Sequence, residues 1–173
     1  LLQARKDFIA GKSVLKPYPR AEIYPKSYEA IERAAINPKI NLVFVHWYVT
    51  HGAYGYSFKE NRFIPMGPGF PGETEGELEL ADVSFGRLRH AMEEAGVWDS
   101  SAVIVTSDHG NPTSNGEYDV VPFLLKLPNS NEGGDIDVLF DTLRTRSLIH
   151  KLRDREITNG EQLKDFISSA ENK

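Results

Sequence analysis

Ala102-Val-Ile-Val-Thr-Ser-Asp-His-Gly110 is the stretch that sets the fold class. Residues 102–106 are short, apolar and rich in β-branched side chains, the composition of a strand buried on both faces. A carboxylate, Asp108, and an imidazole, His109, follow where that strand ends. In open α/β sheets ligands collect beyond the carboxyl ends of the strands, so this pair is placed for chemistry and has the donor types of metal ligands. The same residues also suit an ordinary turn, with glycine adopting positive φ and aspartate capping a neighbouring N–H.

Working outward, residues 40–46 form a second continuous apolar run, Ile-Asn-Leu-Val-Phe-Val-His, expected to be a strand buried on both faces. Residues 120–128 form a third extended segment, with Pro122 at an edge or strand start. Between the first two, Leu78, Ala81, Phe85, Leu88, Met92 and Ala95 recur at steps of three and four, which predicts a long amphipathic helix closed by Gly96. Residues 65–76 carry proline or glycine every two or three positions and predict a loop. Upstream, residues 1–24 have no clear period, and a helix is predicted from Pro25 through Tyr28, Ile31, Ala34 and Ala35 to the stop at Asn37-Pro38. Near the end, Thr158-x-x-Glu161 resembles a capping box before an apolar face of Leu163, Phe166 and Ile167. This order of strands and helices is that of an α/β layer fold with at least part of its sheet parallel. Only three strands are legible, few beside a mean sheet of roughly five or six, so the domain is expected to be incomplete.

Composition narrows the function. With 173 residues, 40% of them hydrophobic, the chain has material for a core of one globular domain. Its net charge of −5 with no basic run argues against nucleic acid as a partner. The absence of cysteine excludes disulfides, thiolate metal sites and a cysteine nucleophile from these residues. No stretch approaches the roughly 18 to 20 apolar residues of a membrane helix.

Asp108 and His109 together suit zinc or manganese, whereas calcium takes mostly oxygen. Two ligands do not complete a site, and Asp119, Asp135, Asp137 and Asp141 are available downstream without a spacing that selects among them. His51 follows the first strand as Asp108 follows the second. If those strands are parallel neighbours, His51, Asp108 and His109 share one end of the sheet, where His51 is suited to bind a transferring oxyanion or to give a proton to a leaving group; the alternative is a loop histidine beside aromatics. His46, five positions earlier at the strand's end, stays open between the two roles, whereas His90 on the polar face of the long helix and His150 on a late helix are expected to be structural. The glycines of 67–76 lack the strand, helix and lysine of a phosphate loop.

Val43-Phe-Val-His-Trp-Tyr-Val-Thr-His51-Gly-Ala-Tyr, the helix with Ala81-Asp82 and Phe85-Gly-Arg-Leu88, the stretch 102–110, and Val121-Pro-Phe-Leu-Leu-Lys-Leu-Pro128 occur in an order that resembles sulfatase-family hydrolases of the alkaline phosphatase superfamily. The resemblance is strongest over 40–128 and covers the second half of such a domain. It implies a partial three-layer α/β/α sandwich with a mixed, largely parallel sheet over residues 1–173. It also implies that Asp108 and His109 hold a divalent metal ion (calcium, zinc or manganese) and that His51 contacts an anionic substrate. The implied partners are sulfated or phosphorylated small molecules, glycans or lipid head groups, and the implied parent is extracytoplasmic or membrane-associated. The chain departs from the family in reading His51-Gly-Ala-Tyr54 without the usual proline. It also has no lysine in Asn111-Pro-Thr-Ser-Asn-Gly116, where arylsulfatases carry one, and Lys126 comes too late to replace it. The family nucleophile, within Cys/Ser-x-Pro-x-Arg or a Ser/Thr in phosphoryl-transferring relatives, is expected before Leu1, so the chain alone is expected to be inactive. The contrasting expectation is a catalytically empty α/β domain that binds a metal or a partner.

Overall fold

The computed structural model describes residues 20–47, 49, 54–57, 59, 62–65, 74–110, 116, 119–131 and 133–169. The chain is a mixed α/β protein whose contacts group into two compact units, divided in sequence between Ala95 and Gly96.

The first unit contains helix α1 (Arg20–Ala35), strands β1 (Tyr54–Ser57) and β2 (Arg62–Pro65), and helix α2 (Thr74–Glu94). β1 and β2 pair antiparallel with Tyr56 opposite Phe63, and those rings meet edge to face at 5.2 Å between centroids. Cross-strand aromatic pairs of this kind add about 0.2–1 kcal/mol to a ladder. Tyr24, Tyr28, Trp47 and Phe63 continue the aromatic packing, with Trp47 stacked on Tyr24 at 6.3 Å. On α2, Ser84 is buried because its polar atom is satisfied: Oγ donates to the Leu80 carbonyl at 2.5 Å and bonds the Tyr24 hydroxyl. The Arg87 guanidinium lies 4.5 Å from the centre of the Tyr28 ring.

Several expectations for this unit are corrected. α1 starts at Arg20, so Pro25 lies inside the helix at the cost of one i→i−4 hydrogen bond. Among the described residues, 40–46 form no ladder, and Ile40, Leu42, Val43, Phe44 and Val45 are exposed, Phe44 by 87%. A strand needs a hydrogen-bonding neighbour, and β1 and β2 take each other. That hairpin was not anticipated, because its four-residue strands are too short for periodicity to register. α2 extends N-terminally to Thr74, taking three residues from the expected loop, and Gly96 closes it with φ +70°. The buried side of α2 includes Glu77, Leu80, Ser84 and Met92, whereas Leu78, expected on the apolar face, is exposed.

The second unit contains β3 (Val103–Thr106), β4 (Phe123–Lys126), a 3-10 turn (Thr142–Arg144), and helices α3 (Thr145–Arg153) and α4 (Gly160–Ser168). The two strands pair antiparallel, with Thr106 opposite Phe123 and Val103 opposite Lys126. Both ladders among the described residues are antiparallel, so the expected largely parallel sheet is not seen there. A parallel return needs a crossover of about a dozen or more residues, usually helical. Residues 107–122, rich in Pro, Gly, Asn and Ser, have no helical period. One face of the ladder, through Ile104, Phe123 and Leu125, packs on a core of Leu127, Leu148, Ile157, Leu163, Phe166 and Ile167. Pro122 stands immediately before β4, as expected for a strand start.

The apolar face of α4 is as read from the sequence, but its cap lies one residue later. Asn159 Oδ1 accepts from Gln162 N at 3.0 Å, and the Gln162 side chain accepts from Thr158 N at 2.8 Å. Lys126 braces the start of the unit: Nζ donates to the carbonyls of Asp99, Ser101 and Leu127 and lies 5.3 Å from the Trp98 ring centre.

Candidate metal centre

The site begins where β3 ends, at Thr106. Beyond Thr106 the chain turns through residues 107–110, and local hydrogen bonds shape that turn. Ser107 Oγ donates to the His109 carbonyl at 2.8 Å, and His109 N donates to Asp108 Oδ1 at 3.2 Å. The imidazole is also anchored, with Nδ1 2.9 Å from the Gly110 carbonyl oxygen. A carbonyl only accepts, so Nδ1 carries the proton in this bond and a neutral ring has its lone pair on Nε2.

His109 Nε2 lies 4.0 Å from Asp108 Oδ1, and the two side chains are 52% and 70% exposed. With the ring neutral, Nε2 is an acceptor nitrogen beside a carboxylate oxygen. Their donor chemistry fits a divalent ion of the zinc or manganese type. They supply two of the three or four protein ligands that zinc takes.

Gly110 packs against the chain entering β4. A Cβ built at Gly110 overlaps the Asp119 carbonyl oxygen and lies 2.8 Å from its carbon. Asp119, one of four downstream acids without a distinguishing spacing, is therefore beside the turn through its backbone. The Gly110 carbonyl was not foreseen as a partner of the imidazole. Its sequence signal was the motif glycine itself, read only as a turn residue.

The other candidates are dispersed. Asp141 caps the 3-10 turn, its Oδ1 accepting from Leu143 N at 2.9 Å, while Asp135 and Asp137 are exposed. His46 is exposed on the unladdered run, His90 pairs with Glu94 along α2 at 3.5 Å, and His150 lies in the last turn of α3. His51 lies outside the described residues. Among the described residues no three His, Cys, Asp or Glu side chains converge on one point. No described helix is long and apolar enough to cross a membrane. Comparison with family models, curated proteins and solved structures gives no match.

Proposed function

We propose that this chain is part of a metal-dependent, sulfatase-like hydrolase acting on sulfate or phosphate esters, with Asp108 and His109 holding the divalent cation. The observation that carries this reading is the pairing of Asp108 Oδ1 with His109 Nε2 at 4.0 Å just beyond β3, with the other ring nitrogen committed to the Gly110 carbonyl. Metal-ligating histidines characteristically give their second N–H to a carbonyl or carboxylate in this way. Asp108 offers a hard carboxylate oxygen and His109 a neutral nitrogen, a donor set open to zinc, manganese or calcium. When bound, the cation offsets charge on the ester oxyanion. His51 is assigned to the anionic substrate, a sulfated or phosphorylated small molecule, glycan or lipid head group.

The layered α/β/α architecture is part of the same proposal. Residues 40–45 expose apolar side chains of both alternating sets, and β3–β4 carries apolar Val105 and exposed Leu124 on the face opposite its core. Strands apolar on both faces are those that a sandwich covers from both sides. An extracytoplasmic or membrane-associated parent belongs to this proposal as well.

The test is thermal unfolding with zinc, manganese or calcium added. A cation at 100 times its Kd stabilises the native state by about 2.7 kcal/mol. Joint replacement Asp108→Ala and His109→Ala is expected to abolish the shift, and a shift that survives it removes the assignment.

A second reading is a catalytically empty metal- or partner-binding domain, which keeps the cation without turnover. Turnover of nitrophenyl sulfate or phosphate by the parent protein separates the two. Metal binding without turnover supports the second.

A further inference from the structure

We propose that Gly110 is a positioning residue for the Asp108–His109 pair, acting through both halves of its backbone. The inference rests on the metal reading for its purpose but has its own observable. The Gly110 carbonyl accepts from His109 Nδ1 at 2.9 Å and so selects the tautomer whose Nε2 is unprotonated, the nitrogen 4.0 Å from Asp108 Oδ1. Gly110 itself has no side chain, and the Asp119 main chain occupies the space a Cβ would fill. Asp119 enters β4, whose Phe123 pairs with Thr106 of β3, so a single ladder end carries the turn and the backbone that braces it. Any residue with a Cβ at 110 must move away from Asp119. The obstruction is main chain rather than a flexible side-chain tip, so the displacement falls on the turn itself. Orientation of the imidazole and the tautomer it adopts are then lost together.

The tautomer can be read without any metal. In the nitrogen-15 spectrum of the chain at about pH 8.5, above the ordinary histidine range, the His109 ring is expected as the Nδ1–H tautomer. A His109→Gln spectrum assigns its signals. Gly110→Ala is expected to shift the ring toward the Nε2–H form and to weaken zinc binding by about 10- to 100-fold, the usual effect of losing an outer partner of a ligating histidine. Asp119→Asn, which preserves the main-chain contact, is expected to leave the tautomer unchanged.

An Nε2–H tautomer in the unaltered chain overturns the proposal, whether or not Gly110→Ala folds. So does retention of the Nδ1–H form by a folded Gly110→Ala chain, with folding checked by circular dichroism. If the unaltered chain has the Nδ1–H tautomer, Gly110→Ala loses it, and zinc perturbs neither Nε2 nor the melting temperature, the positioning role stands and the metal reading fails.

Discussion

The Arg144 guanidinium closes the C-terminal end of α4 through the main chain of Phe166: Nη2 donates to its carbonyl at 2.5 Å while the guanidinium carbon lies 4.4 Å from the centre of its ring. Nη1 donates to the Ile167 carbonyl at 3.2 Å and Nη2 also to Ser169 Oγ at 3.1 Å. Only 9% of Arg144 is exposed. A buried cation is tolerated here because the last carbonyls of a helix have no intrahelical partner and carry partial negative charge.

Removing that cation takes the guanidinium donor from the Ile167 carbonyl, whereas the Phe166 carbonyl keeps Ser169 Oγ at 2.8 Å. An unpaired buried carbonyl costs about 1–3 kcal/mol, and Arg144→Met is expected to lower stability by about that much. Arg144→Lys is expected to recover part of the loss, because an ammonium keeps the charge but not the planar fork. Urea unfolding of both variants checks this. Equal stability of Arg144→Met and the parent chain would show that the clamp contributes nothing.

Arg155, between α3 and α4, has φ +59°, a left-handed conformation that costs a residue with a Cβ roughly 1 kcal/mol. Arg155→Gly is expected to stabilise by about 0.5 kcal/mol, since relief of strain is partly offset by the larger entropy of the unfolded glycine. The expected readout is a rise in the urea midpoint with an unchanged slope. Asn129, with φ +53°, already has a side chain suited to that region, so Asn129→Ala should lower the midpoint.

Burial pushes the Tyr28 phenol above its ordinary value of 10.0, against the pull of the Arg87 guanidinium and with the Glu32 carboxylate adding to the rise. In the folded state the proton is held to higher pH than in the unfolded chain. Tyr28 therefore contributes stability that is complete below pH 10.0 and falls as pH rises through the folded value. Tyr28→Phe is expected to flatten the alkaline limb of the stability profile. An unaltered limb in that variant would assign the loss to other groups.

Leu148 and Phe44 predict opposite behaviour from similar chemistry. Leu148 is 1% exposed in the core of the second unit, and Leu148→Ala is expected to cost about 2–5 kcal/mol through the cavity it leaves. Phe44 is 87% exposed, so Phe44→Lys is expected to leave stability within about 0.5 kcal/mol. The same change should reduce self-association, because unpaired apolar extended segments template pairing with other chains. Unfolding and light scattering, run on both variants, report the two effects separately.

Much of the second unit was legible before its structure. Residues 102–106 contain β3, residues 120–128 contain β4, and the buried side of α4 is the predicted Leu163, Phe166 and Ile167. The expected burial of residues 102–106 on both faces is not seen, since Val105 on the side away from the core is 37% exposed. In each case a local signal, β-branched composition or a helical period, identifies the element. The position of Asp108 and His109 beyond β3 was legible for the same reason. The β1–β2 hairpin was not, since four-residue strands take their identity from the aromatic pair Tyr56 and Phe63 across the ladder.

What the chain order alone settled is which residues are strand-like, which are helical, and which polar pair follows the best strand, because these depend on neighbours within a few positions. Pairing was settled only in three dimensions. Whether an apolar run becomes a strand depends on a hydrogen-bonding partner remote in sequence. Residues 102–106 contain β3, which found one in β4, whereas residues 40–46 have none among the described residues. The same holds for the imidazole of His109, whose usable nitrogen is chosen by the Gly110 carbonyl, and for that glycine, whose need follows from the backbone of Asp119 nine residues away.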